Sequence, residues 1–517
     1  MAKKTVAIYD RWLYTLGGGE QVAFAYAEAL RDFGFDVSLL THLRIDEKKA
    51  QEKMGVNLSG INLEYLPPQP SEELSALTEK YDIFLNTSFL DYFPNRSKLG
   101  ILSVFFPIRL RISPAIFLKE RLFIPLLRSV FIYPTNYDGF RYDEQIGKRL
   151  YKWLGRNAKI HFSNSITHFT VTLFFESLAF SVLDQIVFYV GAKQVFPEKR
   201  RFSHHKNQVH YSFSLPLDVA NTLEIRLPQS AYARRIALLE VRLHNWRYAV
   251  YNLFKYFFPI WEMRLHGTPG INKLSHISTY QKIITISEFS RHWIQEYWGA
   301  KSEILYPPVS VDTFAPAEEK KNWIVHVGRF FLTGHNKKQL ELAEVFAQLC
   351  DKKLIPGWEL HFIGSIHDGE QHQKYFNSVR ELAEEYPIYF HIDIPQDELK
   401  DILSQSKIYW HATGLDEDEN RNPIHFEHFG ITTVEAMASG NVPVVINAGG
   451  QKEIVTAESG FLWNTREELM KQTADLIEDS HLLEKLSQGA IKRSKRFSRS
   501  EFKKTLQKIL DDSNKKK

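Results

Sequence analysis

Twice along this chain, short apolar runs alternate with stretches of helical spacing, and that alternation restricts the fold more than any other feature. TVAIYD (5–10) passes through the glycine-rich turn LGGGEQ (16–21) into QVAFAYAEALRDFG (21–34), which Gly34 closes. FDVSLLT (35–41), YDIFLNTS (81–88) and KLGILSVFF (98–106) supply further strand-like runs. The second block starts at NWIVHVGRFF (322–331) and continues through WELHFIGS, IYFHID, KIYWHAT, NVPVVIN and SGFLWN, with helices such as KKQLELAEVFAQL and DELKDILSQS between them. Apolar strands followed by one-faced helices bury both surfaces only in a parallel sheet covered on each side. The expected fold class is therefore α/β, with two Rossmann-like domains.

Between the blocks the period changes. After about residue 155, KIHFSN, THFTVTLFF, DQIVFYVG, NQVHYSFSLP, NTLEIRLP and RRIALLEVRLHN follow one another with polar turns and a period near two. β-Branched and aromatic residues dominate these runs, which predicts an antiparallel β-sandwich. We place the first Rossmann-like domain at 1–156 and 247–318 and the inserted sandwich at 157–246. The second Rossmann-like domain covers 319–490, and a basic helix with a tail covers 491–517.

A chain of 517 residues is too long for one ordinary domain. A formal net charge of only +4 argues against a general polyanion binder, so no nucleic-acid partner is expected. The single cysteine, Cys350, excludes an intramolecular disulfide and suits a reducing compartment. MAKKTVAIYDRW runs straight into a strand without an apolar signal segment, and no spanning stretch is visible. The expected location is cytoplasmic. FFPIRLRISPAIFLKERLFIPLLRSVFIYP (105–134) and YAVYNLFKYFFPIWEMRLHG (248–267) mix bulky apolar residues with Arg and Lys. They could pack on a neighbouring domain, or lie peripherally in lipid headgroups at the inner face of a membrane with their cations snorkelling. The oligomeric state is left open.

Three stretches carry candidate chemistry. Gly17, Gly18 and Gly19, between strand and helix, let backbone amides approach a ligand at the positive end of the helix dipole. In VGRFFLTGHNKKQ (327–339), Arg329 follows a strand's carboxyl end and Lys337 is expected to open the next helix. An Arg fork and a compact Lys cation meeting there suit a diphosphate. In HFEHFGITTVEAMASG, Glu427 and Glu435 lie eight positions apart, and ITTVEAMASG reads as a helix closed by Gly440. Both carboxylates can then face one cleft near the helix start, beside the amides of Phe429, Gly430 and Ile431. Carboxylates next to free amides suit polyhydroxylated, partly anionic ligands.

E-x7-E in EHFGITTVEAMASGNVPVV, followed by GGQKEIV, resembles the retaining GT-B glycosyltransferases of the large family that includes sucrose synthases and many mannosyltransferases. GGGE, VGR with its downstream Lys, TISEFSRHWI and ILYPPVSVDTFAP (304–316) stand in that family's order, over about residues 5–110 and 265–510. The resemblance implies a GT-B fold with two Rossmann-like domains facing a cleft, a nucleotide-sugar donor, and a glycan or lipid-linked acceptor bound mainly by the first domain. It implies that Arg329 and Lys337 neutralise the leaving nucleoside diphosphate and that Glu427 stands beside the donor sugar. Glu435 would hold the ribose hydroxyls, the amides of Phe429 to Ile431 would meet sugar or phosphate, and Gly17 to Gly19 would close over the diphosphate. The family's first-domain histidine before a Phe-Pro is absent, since SVFFPIR has Phe105 and Phe106 instead.

Asp416-Glu417-Asp418 spells the DxD pattern of metal-dependent glycosyltransferases, but that motif belongs to a single-domain architecture. His425 and His428 lack a third ligand at zinc spacing. No metal and no cofactor is expected. The leading reading is a hexosyltransferase; a sugar-nucleotide epimerase of the same fold and a non-catalytic carbohydrate-binding scaffold are the alternatives.

Overall fold

The computed structural model describes the chain apart from residues 1–2, 68–70, 111–122, 147–148, 177–181, 204–205, 217–219, 229–235, 258–264, 266–272, 333, 368 and 515–517. The expected headgroup segments 105–134 and 248–267 thus fall partly outside the described residues, as does the end of the C-terminal tail. Two units are formed, Met1–Ser103 with Arg109–Lys282, and Val104–Ile108 with Ile283–Lys517. The expected division gave 104–108 and 283–318 to the first domain, and strands Lys282–Thr285 and Glu303–Ile304 do belong to the seven-stranded sheet that contains Thr5–Tyr9. Phe106, Phe289 and Trp293 share a core with Ile324, Phe346 and Trp410, and Val309, Val311 and Phe314 share another with Val325 and Tyr409.

In the first unit, β1 (Thr5–Tyr9), β2 (Asp36–Thr41), β3 (Ile61–Tyr65), β4 (Ile83–Asn86) and β5 (Leu99–Val104) are parallel, in the spatial order β3-β2-β1-β4-β5. The order reverses at β1 and β4, the switch point where such sheets open to ligands. Helix Gly18–Asp32 buries Val22, Phe24, Tyr26 and Leu30.

The antiparallel region starts earlier than expected. β6 (Pro134–Ile146) and β7 (Arg149–Phe162) form a long hairpin, so the predicted boundary at residue 157 falls inside β7. Gly139 and Gly155 explain why the hairpin closes: a Cβ on Gly139 would stand 1.9 Å from the Asn157 carbonyl oxygen, and one on Gly155 2.1 Å from that of Gly139. β8 (His168–Phe175), β9 (Val187–Val190), β10 (Lys193–Val195), β11 (Lys199–Ser203), β12 (Gln208–Ser214), β13 (Thr222–Arg226) and β14 (Ile236–Leu243) follow. Their hydrogen-bonded path is β10-β9-β13-β7-β14-β8-β12-β11. β9 and β12 stand far apart on that path, yet Phe188 lies 5.0 Å from Phe213 and 4.9 Å from Tyr211 between ring centres. The sheet therefore doubles over into two layers that share one aromatic core.

The second unit follows on from β15 (Lys282–Thr285) and β16 (Glu303–Ile304), a parallel pair at the edge of the seven-stranded sheet. Its main sheet comprises β17 (Trp323–Val327), β18 (Glu359–Gly364), β19 (Ile388–Ile392), β20 (Ile408–His411), β21 (Val442–Ile446) and β22 (Phe461–Trp463). All are parallel, in the order β19-β18-β17-β20-β21-β22, so the switch point lies between β17 and β20. Trp410 and Trp463 are fully buried beneath the helices that cover the sheet. The C-terminal helices Ser480–Ser494 and Arg499–Asn514 pack on the same unit, burying Leu486, Ala490, Phe502 and Leu506.

Candidate functional site

At the switch point of the second unit, β17 is followed by Gly328, whose N–H donates to the Ile363 carbonyl at 2.9 Å. A Cβ on Gly364 would lie 2.2 Å from the Gly328 carbonyl oxygen, and one on Gly328 would lie 2.7 Å from Lys337 Cγ. Glycine at both positions lets the chain turn tightly and brings Lys337 over the strand end. The helix opens later than expected, at Gln339, because Lys338 takes a left-handed φ of 60° with its N–H held by Asn336 Oδ1 at 2.6 Å. Lys337 therefore lies in the turn, and its Nζ donates to Glu427 Oε2 at 2.6 Å. Arg329 is exposed beyond the strand end.

Glu427 is also approached by His411, at the end of β20, with Nε2 3.4 Å from Oε2. Burial pushes the Glu427 carboxyl up, but Lys337 and His411 outweigh it and hold it well below the ordinary range. His335 is lowered to about 4, burial outweighing the pull of Glu427. His411 and His428 are lowered too, by burial first. Lys337 and Glu427 thus form a charged pair among imidazoles that stay neutral at neutral pH. His428 lies 4.7 Å from His335 and stacks on Phe106 at 4.1 Å between ring centres, so an aromatic ring of SVFFPIR packs directly against the E-x7-E loop.

Helix Ile431–Ala438 starts from Gly430, whose φ of 120° favours glycine. The amides of Phe429, Gly430 and Ile431 have no acceptor among the described residues. A neighbouring glycine pair fixes this loop: the Gly450 N–H donates to the Glu427 carbonyl at 2.7 Å, and a Cβ on Gly450 would stand 2.6 Å from the His428 carbonyl oxygen. Around the loop, His411 Nδ1, His428 Nε2 and both polar atoms of the Gln451 amide are buried without a partner among the described residues. Buried polar atoms are costly to leave unpaired, so their concentration here marks a place built for a polar ligand.

Glu435 is half-buried one helix turn further on. Burial raises its carboxyl to about 7, with Lys400 opposing the rise. The Tyr409 hydroxyl, 2.9 Å from Thr432 Oγ1, feels both Glu427 and Glu435. The acidic run is engaged in ion pairs: Asp416 with Arg466 at 2.7 Å, Glu417 with Lys338 at 3.7 Å, and Asp418 with Arg421 at 3.3 Å. Gly17 to Gly19 lie in the first unit. Gly17 caps helix Gly18–Asp32, but its N–H is taken by Glu20 Oε2 at 2.7 Å, so a carboxylate already covers that helix end. His326, His335 and His411 were missed in the sequence; their signal is position, each at or just after a strand end of the switch point.

Residues 312–493 match the family model described as Glycosyl transferases group 1. These residues resemble a group 1 glycosyl transferase domain. The human GDP-Man:Man(3)GlcNAc(2)-PP-Dol alpha-1,2-mannosyltransferase is 32% identical to the chain over 240 residues, covering 43% of the chain and 45% of the relative. The Dictyostelium discoideum enzyme of the same name is 25% identical over 244 residues, covering 44% and 46%. The matched stretch thus spans under half the length of these relatives. Anabaena Alr3699/HepE in complex with UDP and glucose aligns with a TM-score of 0.51 at 13% identity, covering 98% of this chain and 99% of that one. Sucrose-phosphate synthase from Thermosynechococcus elongatus aligns with a TM-score of 0.51 at 12% identity, each chain fully covered. The fold around the group 1 domain is that of the GT-B glycosyltransferases.

Proposed function

We propose that the chain is a retaining glycosyltransferase that moves mannose from GDP-mannose to a lipid-linked oligosaccharide. The observation that carries this reading is the Lys337–Glu427 pair at the β17/β20 switch point, set among neutral imidazoles and free helix-start amides. Donor and acceptor class are carried over from the relatives. On this reading Lys337 and Arg329 neutralise the departing diphosphate, charge stabilisation aimed at the group that becomes more negative as C1–O breaks. Glu427 accepts from hydroxyls of the donor sugar, the amides of Phe429 to Ile431 donate to its oxygens, and Glu435 accepts from the ribose. The acceptor hydroxyl forms the new bond to C1 on the face the diphosphate leaves and gives its proton to the departing phosphate oxygen. With Lys337 supplying the positive charge and Asp416 to Asp418 tied up in ion pairs, no divalent ion is invoked, and EDTA should leave the rate unchanged.

A membrane-facing surface fits the lipid-linked acceptor. Helix Trp246–Phe257 exposes Trp246, Val250, Leu253 and Phe257 on one face, with Trp246 68% accessible. Arg247 donates to the Ser129 and Val130 carbonyls of helix Ile124–Val130, which exposes Leu126. Neither helix carries an Asp or Glu, whereas Arg128, Arg247 and Lys255 are cationic. Such a face suits an anionic headgroup layer. No helix among the described residues is long and apolar enough to cross a membrane.

Calorimetry against GDP-, UDP- and ADP-sugars tests the donor reading. GDP-mannose should bind at least tenfold more tightly than the others, and equal affinity for all would contradict it.

A further inference from the structure

The first unit contains a cavity of about 360 Å³ whose walls come from two sources. One is the rim of the parallel sheet, with Arg11 and Trp12 after β1, His42 and Arg44 after β2, and Tyr65 at the end of β3. The other is the inserted β6–β7 hairpin, with Tyr137, Asp143 and Lys152. The volume lies in the range of small-ligand sites. The walls are joined where the Asp143 N–H donates to the Arg44 carbonyl at 2.6 Å.

Its charges are already spoken for. Arg11 pairs with the buried Asp91 at 2.6 Å, and Asp91 also accepts from the Tyr9 hydroxyl. Lys152 pairs with Asp143 at 3.1 Å and lies 4.3 Å over the Tyr137 ring, while Arg44 lies 4.6 Å over Tyr65. His42 bridges the Tyr9 hydroxyl and the Leu66 carbonyl, and burial, then Arg11, lowers it to about 4. Cations engaged by carboxylates or rings, a neutral imidazole and several aromatic rings are a poor receptor for a phosphate. They are a good one for an uncharged polyhydroxylated ring, whose apolar face packs on aromatics while its hydroxyls meet fixed donors and acceptors.

We propose that this cavity binds sugar residues of an uncharged oligosaccharide, so that the β6–β7 hairpin selects the acceptor glycan. The proposal rests on the transferase reading for the word acceptor, but the binding itself can be measured without any donor.

Titrate the full chain with free Man(3)GlcNAc(2), which lacks lipid and diphosphate, by saturation-transfer NMR and calorimetry. In parallel, measure binding of GDP and of inorganic diphosphate. Wild type should bind the oligosaccharide. Tyr137→Ala on the hairpin wall and Trp12→Ala on the sheet wall should each weaken it at least tenfold, Tyr137→Phe by less than threefold, and GDP affinity should not move. Circular dichroism identifies any variant that fails to fold, and the opposite-wall variant then decides. Absence of oligosaccharide binding to wild type would overturn the proposal. So would unchanged binding in folded Trp12→Ala and Tyr137→Ala, or inorganic diphosphate that competes with the sugar. Oligosaccharide binding with no turnover of GDP-mannose would leave the cavity standing and remove the transferase reading instead.

Discussion

Lys337 and Glu427 meet in one 2.6 Å contact in the second unit. Removing Lys337 leaves a mostly buried carboxylate without its cation, which costs more than the loss of one surface pair. Glu435 has the opposite character, and its behaviour with pH follows from the direction of its shift. Its folded-state pKa, about 7, lies above the ordinary carboxyl value, so the stability linked to its proton is complete below about pH 4 and is lost as pH rises through 7. Glu435→Gln should therefore stabilise the ligand-free protein by about 1 kcal/mol at pH 8 and leave it unchanged at pH 4. Thermal melts at the two pH values check the sign. Because ribose hydroxyls favour the ionised carboxylate, GDP should bind more tightly at pH 8 than at pH 6. The gain should be smaller in Glu435→Gln, a comparison in which the ionisation of GDP itself cancels. Equal pH dependence in both proteins would remove Glu435 from the nucleotide site. The spacing of Glu427 and Glu435 was visible in the sequence, but their unlike environments were not, since these depend on Lys337, His411 and Lys400 arriving from other elements.

Among elements, the turns decide the site more than the helices do. Gly450 must approach the backbone of the E-x7-E loop, where an added Cβ would meet the His428 carbonyl and Phe429 Cα at under 3 Å. Gly450→Ala should shift that loop, cost on the order of 1–3 kcal/mol and reduce turnover more than tenfold. Denaturant melts with rate measurements check both, and an unchanged rate would show that the loop position is not critical. The parallel strands themselves followed readily from the apolar runs, because buried parallel strands are continuous in Val, Ile and Leu. The start of the antiparallel region was harder to read. GFRYDEQIGKRLYKWLG is polar and glycine-punctuated, so its pairing depends on the facing Gly139 and Gly155 rather than on a period of two. The late helix start at Gln339 was hidden likewise, since HNKKQLELAEV reads as continuous helix until Asn336 is seen holding the Lys338 amide.

For the whole molecule, the inserted strands should matter to acceptor use and not to the nucleotide. Replacing Pro134–Leu243, rather than 157–246, with a flexible linker spares the β6–β7 hairpin from being cut in half. GDP affinity should stay within about twofold while transfer to the lipid-linked glycan is lost, and loss of GDP binding in a folded protein would reassign the insertion. The exposed helix faces belong to the same scale: Trp246→Glu with Leu253→Glu should abolish co-sedimentation with anionic vesicles and leave GDP binding intact. The most direct measurement is the initial rate of mannose transfer from GDP-mannose to lipid-linked Man(3)GlcNAc(2), in wild type and Lys337→Ala. Wild type should give an α-linked product, and Lys337→Ala, less stable but still folded, a rate at least a hundredfold lower. A β-linked product would contradict retention, and full activity in Lys337→Ala would contradict the placement of the diphosphate at the β17/β20 switch point.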